Sequence, residues 1–454
     1  MCRGPTSDFA QVGLTGVFTW AILMSSTTAG RGRVLLASAS SGGTIAAARH
    51  LAANGFDVRV LSSERLAAAR WSRSVSHSHR CPSEIESDQF LSQLLALGKA
   101  DPGQILLPTS DQTTWLYSAY SGLLENYFRL YQPPIPVLRR LLDKKLLGEA
   151  AANVAVPSPR IWDPDNVAEL SALASELPYP ILLKPRTHVY GVVSERGVVV
   201  DRSDALLPMY QRFLVRNENR GGEKYPFPDA AKPILQEYVD VGNEGVHSIA
   251  GFIDRGGELY VTRRSRKVFK RAPHVGVGVC YESLPADASL SRYVRALCHE
   301  LGYFGMFEVE FVPFKGGWAV IDFNPRLYNQ VGLDISRGLP LPTLACLGAV
   351  SDIAQLTDAA ARAESAIDPT NMVLYDRFTL SAMLVAMYMT SRISREDLAY
   401  WRSWARRNAG RSIDVAVCRE DPMPGIIHAI SEIYLGIKAA PRFFNASPRV
   451  LTAT

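Results

Sequence analysis

The sequence is poor in cysteine, has almost no excess of one charge and contains no long apolar run. Its six cysteines lie far apart with no CxxC pair, which excludes the common spacings of structural zinc sites and gives no sign of a disulfide framework. A reducing compartment, the cytoplasm, is therefore expected. The 49 basic and 44 acidic residues leave a net charge of only +5, so no global field points to nucleic acid or to an anionic membrane as a partner.

The apolar stretch near the N-terminus, residues 12–24, is too short to span a bilayer and is interrupted by glycine and threonine. No membrane span is predicted. A signal peptide would need a charged start and a small-residue cleavage site, which Arg3 and residues 25–30 imitate only weakly. We therefore interpret residues 1–32 as a flexible N-terminal extension.

The chain has 454 residues, 47 % of them apolar and 20 % charged, which is typical of a globular protein with several domains. Residues 33–132 alternate helical patterns with short apolar runs at residues 34–37, 58–61 and 104–108. This alternation predicts a doubly wound, mostly parallel α/β sheet. The glycine loop at residues 40–43 lacks the GxGxxG spacing of a dinucleotide site, which favours a purely structural turn.

Three prolines in four positions, Pro133, Pro134 and Pro136, predict the start of a second unit, residues 133–350. Its apolar patterns indicate a helix, two strands and an antiparallel strand pair, over residues 141–152, 180–185, 198–200, 247–252 and 259–262. Helical patterns dominate the C-terminal region, residues 351–454. The predicted fold class is therefore α/β followed by α+β and a mostly helical end.

Residues 307–326 predict a β-hairpin. A three-residue loop over Lys315, Gly316 and Gly317 would place Phe314 opposite Trp318. Continued along the strands, this register brings polar side chains opposite each other. We call the side of the hairpin that carries them its chemical face.

The predicted register places Glu310 opposite Asp322 and Glu308 opposite Asn324, all on one face. Carboxylates that face each other repel unless a cation lies between them, and oxygen ligands suit Mg²⁺. A solvated strand face is the alternative. The opposite face is strongly apolar, which favours the metal site; it consists of Val309, Phe311, Ile321 and Phe323.

Two basic features accompany the acidic hairpin. Lys184 ends a buried strand, where an ammonium group needs an anionic partner such as phosphate, although a lysine at a strand end often reaches solvent. Residues 263–271 are strongly basic and precede the glycine-containing residues 274–278. This segment is either a solvated loop or a mobile lid over phosphates, since phosphoryl transfer depends on positioning and charge neutralisation.

Together these motifs resemble the ATP-grasp superfamily over roughly residues 33–345. The resemblance implies that the residues binding ATP are Lys144, Lys184, Glu237, Tyr238, Val239 and Glu244. Among these, the two lysines would contact the nucleotide phosphates, residues 237–239 would form the adenine hinge, and Glu244 would hold the ribose.

The resemblance also implies Mg²⁺, or Mn²⁺ in its place, on Glu310, Asp322 and Asn324. Arg326 would stabilise the transferring phosphoryl group, with Lys184 as a second catalytic cation. The basic segment supplies Arg264 as a third catalytic candidate.

Two departures from the superfamily pattern stand out. Asp322 occupies a position that is most often glutamate, which bears on whether it bridges two metal ions. The loop at residues 186–197 is poorer in glycine than is usual, so it would close less freely or would use Arg186, Ser194 and Arg196 directly.

Within the superfamily, residues 107–111 and 421–425 look like those of carboxylate–amine ligases related to D-aspartate ligase. Other members with similar ATP-binding units are carbamoyl phosphate synthetase and biotin carboxylase. The resemblance implies a ligase that forms an acyl phosphate from a carboxylate, and an amide from that acyl phosphate and an amine. Both substrates would be small molecules that resemble amino acids. The alternatives are a carboxylase or carbamoyl-phosphate-type enzyme and a nucleotide sensor or scaffold without turnover; a homodimer is also considered.

Overall fold

The computed structural model describes residues 31–190, 197–217, 227–242, 244–270, 278–369 and 371–444, with side chains in the last helix described up to residue 435. The predicted roles of Ser194 and Arg196, the predicted extension up to residue 30 and the end of the basic segment fall outside these ranges. No helix in the described residues is long and apolar enough to cross a membrane.

The N-terminal part is a five-stranded sheet in which every pairing is parallel, with the strand order β3-β2-β1-β4-β5. Its strands are β1 (Arg33–Leu36), β2 (Asp57–Ser62), β3 (His77–Arg80), β4 (Gln104–Leu107) and β5 (Phe128–Leu130). Its helices are α1 (Gly42–Ala53), α2 (Ser87–Ala100), α3 (Asp111–Ala119) and α4 (Ser121–Leu124). The predicted doubly wound parallel sheet is confirmed.

A smaller antiparallel sheet follows, with the strand order β6-β9-β7-β8. Its strands are β6 (Ile161–Trp162), β7 (Ile181–Pro185), β8 (Val198–Val200) and β9 (Pro233–Glu237). The helices of this part are α5 (Ile135–Leu142), α6 (Lys144–Asn153), α7 (Val167–Leu173) and α8 (Ser203–Asn217).

The helix predicted over residues 141–152 corresponds to α6, but it begins at Lys144, and residues 141 and 142 belong to α5. Asp143 interrupts the predicted helix, because its side chain accepts hydrogen bonds from the backbone N–H groups of Lys145 and Leu146 and so caps α6. This cap fixes Lys144 at the first position of α6, from which its side chain enters the cavity described below.

The largest sheet has seven strands in the order β14-β13-β10-β11-β12-β15-β16. They are β10 (Val246–Ile253), β11 (Tyr260–Lys270), β12 (Gly278–Leu284), β13 (Gly305–Phe314), β14 (Gly317–Asn324), β15 (Val373–Tyr375) and β16 (Ser412–Asp414). The remaining helices are α9 (Ala288–Leu301), α10 (Val331–Ser336), α11 (Leu341–Ala349), α12 (Ile353–Ser365), α13 (Arg377–Met389), α14 (Arg395–Asn408) and α15 (Met423–Phe444). The C-terminal region thus adds β15 and β16 to this sheet, while the division into units at residues 132 and 350 stays a prediction.

The basic segment is a strand and not a loop, which corrects the predicted lid over residues 263–270. β11 pairs with β10 and β12 along its length, and its side chains alternate between the two faces of the sheet. Arg263 and Lys267 are buried in ion pairs with Asp368 and Glu310. Charges that are paired within a sheet cannot swing over a ligand as a lid.

The hairpin of β13 and β14 has the predicted chemical face but a different turn. The turn has two residues, Lys315 and Gly316, with φ of 48° and 79°, so Phe314 faces Gly317 and not Trp318. A β-bulge at Ile321 shifts the register by one residue and restores the predicted pairs of Glu310 with Asp322 and of Glu308 with Asn324.

The N-terminal sheet packs directly on the segment that follows β14. A Cβ atom on Gly43, in α1, would lie 2.3 Å from the backbone oxygen of Tyr328, and the N–H of Leu327 donates to the Pro108 oxygen at 3.0 Å. The close approach holds the segment with Arg326 against the carboxyl end of β4.

Gly43→Ala should therefore destabilise the protein by about 1 to 3 kcal/mol, because a backbone oxygen cannot move aside cheaply. Urea unfolding measures this change, with Gly122→Ala as the control, since a Cβ atom on Gly122 meets nothing within 4 Å. Equal stability of the two variants would contradict the close packing of α1.

Helix α15 is fixed to α13 by an ion pair between His428 and Asp376, 2.7 Å apart. Asp376 also caps α13 by accepting from the Thr379 N–H at 2.9 Å. Burial alone would lower the pKa of His428, but Asp376, with Glu432 and Asp414, outweighs it and raises that pKa above its usual value. The charged imidazolium therefore stabilises the fold.

The raised pKa predicts that the stabilisation by His428 is complete at pH values below its pKa in the unfolded chain. The stabilisation disappears as the pH rises through its pKa in the folded protein. His428→Gln should cost about 1 kcal/mol near pH 6 and little near pH 9. Chemical unfolding at both pH values measures this difference, with the exposed His77→Gln as the control. A cost independent of pH would contradict the ion pair.

Candidate active site

A cavity of about 2070 Å³ brings the predicted site residues together. Its walls come from the ends of β7 and β9, from β10 to β14, and from the C-terminal helices. The site residues that line it are Lys144, Lys184, Glu237, Tyr238, Val239, Glu244, Glu310, Asp322, Asn324 and Arg326. Arg264 is the predicted site residue that does not line the cavity.

The acidic face of the hairpin forms the floor of this cavity. Glu308, only 1 % exposed, accepts hydrogen bonds from Ser248, from Asn324 Nδ2 at 2.7 Å and from Gln330 Nε2 at 2.8 Å. Burial and the nearby charge of Glu310 raise the pKa of Glu308 to about 7. The floor therefore concentrates negative charge that needs cations.

Two lysines supply those cations. Lys267 pairs with Glu310, and Lys144 Nζ donates to Asp322 Oδ1 at 2.8 Å. Burial alone would raise the pKa of Asp322, but the charge of Lys144, followed by those of His188 and Lys184, outweighs it and holds that pKa well below its usual value. Asp322 is thus ionised at neutral pH.

Lys184 is almost completely buried, with an exposed fraction of 5 %. Burial and the nearby charge of Lys144 lower its pKa to about 7, against the opposing attraction of Asp322 and Glu310. An ammonium group held at such a cost has a strong preference for an additional anion, and phosphate oxygens fit that requirement.

Arg326 lies where the N-terminal sheet meets the acidic floor. It donates through Nε to Asp111 and through Nη2 to Asn324 Oδ1 at 2.7 Å. Burial would raise the pKa of Asp111, but Arg326 and then His188 outweigh it and lower that pKa. The guanidinium is therefore held rigidly between two elements and faces the cavity.

The predicted adenine hinge lies at the end of β9. Glu237 Oε2 accepts from the backbone N–H of Arg160 at 3.1 Å, so this carboxylate holds the hinge strand in place. Tyr238 and Val239 line the cavity beyond it, and the exposed Glu244 lies at its edge. The Glu237 carboxylate is therefore already engaged with the backbone of Arg160.

Ile321 lies on the cavity side, which corrects its predicted place on the apolar face. Because it is the bulged residue, its side chain lines the cavity beside Val312, while Val309, Phe311 and Phe323 pack into the core behind the hairpin. The bulge thus adds an apolar surface next to the acidic floor.

Two predicted basic residues lie outside the cavity. Arg264 donates through Nη2 to His247 Nδ1 at 2.8 Å, pairs with Asp287 at 3.1 Å and lies over the Trp318 ring at 5.4 Å. The alternation of β11 directs it to the opposite face of the sheet from Lys267. Arg186, 4 % exposed, pairs with Asp143 and Asp163 and so stabilises the fold around α6.

The side chains of the floor can bind a metal ion only if a second molecule supplies further coordinating oxygens. In the described parts of the chain, no three His, Cys, Asp or Glu side chains converge closely enough to hold an ion. Glu310 and Asp322 face each other, and Asn324 follows on the same face. Phosphate oxygens would complete the six ligands that Mg²⁺ requires.

Sequence reasoning did not pair four residues with the predicted ones, namely Asp111, Lys267, Ser248 and Gln330. Alternation along a strand could have indicated which way Lys267 faces, since it places Lys267 on the same face of β11 as Arg263 and Ser265. Nothing in the spacing indicated Asp111, Ser248 or Gln330, because each contact joins segments far apart in the chain.

Similar proteins are found both by sequence and by structure. A scan against protein-family models found no match. The carbamoyl phosphate synthase large chain of Rubrobacter xylanophilus is 23 % identical over 209 residues, which cover 45 % of this chain and 18 % of that protein. The chain therefore spans about a fifth of the length of the curated relatives it matches.

Two solved structures show the fold. The biotin carboxylase domain of the Hydrogenobacter thermophilus 2-oxoglutarate carboxylase, a dimer in complex with MgADP, ADP and bicarbonate, has a TM-score of 0.56 at 14 % identity, covering 70 % of this chain and 69 % of that one. The L-amino acid ligase of Bacillus licheniformis has a TM-score of 0.54 at 15 % identity, covering 70 % and 75 %. The protein has the ATP-grasp fold that these proteins share.

Proposed function

We propose that the protein is an ATP-dependent carboxylate–amine ligase, which uses Mg-ATP to activate a carboxylate as an acyl phosphate and then forms an amide. The observation that carries this proposal is the pairing of Glu310 with Asp322 across the hairpin, in one cavity with Lys184 and Arg326. The ligase and carboxylase activities that their names give to the solved relatives support it.

In this proposal ATP lies with its adenine at the hinge of residues 237–239, its ribose at Glu244 and its phosphates at Lys144 and Lys184. Mg²⁺ would be held by Glu310, Asp322 and Asn324 together with phosphate oxygens. The ion would supply charge neutralisation at the transferring phosphoryl group.

The chain's own residues do the rest. Lys184 gains the anionic partner that its burial demands, which favours its charged form. Arg326, held by Asp111 and Asn324, presents fixed donors where charge accumulates on the phosphoryl oxygens, so little reorganisation is needed during transfer. The Lys144 ammonium group would contact both Asp322 and a phosphate oxygen.

ADP release provides the first test. The ligase requires both an acid and an amine, so ADP should appear at an appreciable rate only when both are present with Mg-ATP, and the product mass should equal acid plus amine minus water. Slow ATP hydrolysis that no acid and amine pair stimulates would contradict the ligase and support the sensor.

The carbamoyl phosphate synthase relatives favour a second candidate, a carbamoyl-phosphate-type enzyme. Bicarbonate and ammonia should then raise ADP release as efficiently as any organic acid and amine. We further propose that the protein acts in the cytoplasm on amino-acid-like substrates and forms a homodimer, the last being testable by sedimentation.

A further inference from the structure

The cavity continues well beyond the predicted nucleotide site. Sites for a single small ligand typically occupy about 300 to 1,000 Å³. The cavity measures about 2070 Å³, and its far end is formed by α13 and α14 of the C-terminal region. A second large ligand group therefore has room beside a nucleotide.

The far end has an aromatic and methionine-rich surface, which we call the aromatic wall. The wall consists of Phe269, Met383, Met387, Met389, Tyr400 and Trp401. Phe269 and Trp401 meet edge to face, with ring centroids 4.6 Å apart, and Tyr400 lies 5.3 Å from Trp401 in the same way.

Packing alone explains only part of this surface. Phe269, Met383 and Trp401 contact a core cluster on one side. However, Tyr400 is 55 % exposed and Met389 is 70 % exposed, and both face the cavity. Exposed large apolar side chains grouped in a concave surface are typical of ligand sites, and methionine adapts readily to apolar ligands.

The aromatic wall lies close to the reacting end of the cavity. Phe269 follows Lys267 by two residues on β11, across an irregularity in its pairing with β12, so their Cα atoms are at most about 7 Å apart. Lys267 contacts Glu310 on the acidic floor, and Lys270 also lines the cavity. A ligand with a carboxylate beside these two lysines and a group of ring size beyond it would reach the wall, and the lysines favour an acid over an ammonium group as neighbour.

We infer that the acid substrate carries a large apolar group, aromatic or long aliphatic, which binds at the aromatic wall while its carboxylate lies beside Lys267 and Lys270, next to the acidic floor. This inference rests on the proposed ligase function, because that function places the acid in this cavity. It excludes small or doubly charged acids as preferred substrates, since neither covers the wall with apolar surface.

Acyl phosphate formation can be measured without knowing the amine, by trapping with hydroxylamine and detecting the hydroxamate in the presence of Mg-ATP. We expect kcat/KM for 3-phenylpropanoate to exceed that for propanoate or succinate by about tenfold or more. Equal or lower kcat/KM for 3-phenylpropanoate would overturn the inference and leave the ligase standing. Absence of hydroxamate with every acid would instead count against the ligase.

Two variants locate the effect. Ala382→Phe adds a ring at an exposed position on the cavity side of α13, and should lower the ratio of kcat/KM for 3-phenylpropanoate to that for propanoate by about tenfold. Tyr400→Ser removes an exposed ring without opening the core and should lower the same ratio. Ala152→Phe, at an exposed position of α6 outside the cavity, is the control and should leave the ratio unchanged.

Binding provides a readout that does not depend on turnover. Calorimetry with 3-phenylpropanoate should give a Kd that rises about tenfold in Ala382→Phe and not in Ala152→Phe. Binding that neither Ala382→Phe nor Tyr400→Ser weakens would overturn the inference, whatever the ligase assay gives.

Discussion

Asp322→Asn should lower turnover at saturating substrates by about 10²- to 10³-fold, because it removes one of the two facing charges that would hold Mg²⁺ in the proposed function. The substitution keeps the shape of the side chain and its place opposite Glu310. The Mg²⁺ concentration for half-maximal activity should rise as well. Steady-state ADP release over a series of Mg²⁺ concentrations measures both changes.

The same substitution weakens the contact with Lys144, so a moderate loss of stability, about 1 to 3 kcal/mol, is expected. Activity is therefore compared per folded protein, with circular dichroism as the check. Asp165→Asn is the matched control, since the Asp165 side chain is 87 % exposed. Turnover and Mg²⁺ dependence equal to those of the control would mean that the acidic floor is not the metal site.

Lys184→Met should abolish most activity and stabilise the fold at the same time. Burial lowers the pKa of Lys184 to about 7, so a charged Lys184 is unfavourable in the folded state. In the unfolded chain the same side chain stays charged up to pH values near 10. The ammonium therefore costs stability throughout this range, and a methionine of similar length should recover about 1 to 3 kcal/mol.

The loss of activity has a different cause. Without the charge at the phosphates, kcat/KM for ATP should fall by about 10²-fold or more. Thermal unfolding and steady-state rates are measured together, with Lys99→Met on the exposed surface of α2 as the control. A variant that unfolds more easily yet keeps its activity would indicate a structural lysine.

The hairpin illustrates how much of the site could be predicted from the sequence. Strict alternation around Glu308, Glu310, Asp322 and Asn324 was sufficient for the facing pairs, although the turn was predicted with one residue too many. The bulge at Ile321 compensated for that error. Bulges depend on twist and packing across the sheet, which a local pattern does not contain.

The basic segment shows the opposite case. Successive charges at residues 263–267 indicated a loop, because paired and unpaired charges look alike in a sequence. The structure supplies partners for them from Asp287, Glu282, Glu310 and Asp368, in β12, in β13 and outside the sheet. Tertiary pairing of this kind overrides local propensity for a loop.

Single side chains at element boundaries were the hardest to predict. Asp143 interrupts a continuous helical pattern because it caps α6, and Arg186 follows β7 in a buried network instead of facing the phosphates. Asp111 entered the sequence analysis only as the last residue of the motif at residues 107–111, whereas its contact is with Arg326, 215 positions later in the chain. Contacts at such separations come from the fold.

The fate of one oxygen atom tests the acyl phosphate route most directly. An acid substrate with ¹⁸O at both carboxylate oxygens should transfer one labelled oxygen to the phosphate that is released. The reason is that a carboxylate oxygen attacks the phosphoryl group first, and the amine then displaces phosphate together with that oxygen. Mass spectrometry of the phosphate measures the label after a turnover that forms amide. Labelled phosphate, in an amount equal to the amide, is the result that we predict. Unlabelled phosphate together with the amide product would contradict the proposed mechanism.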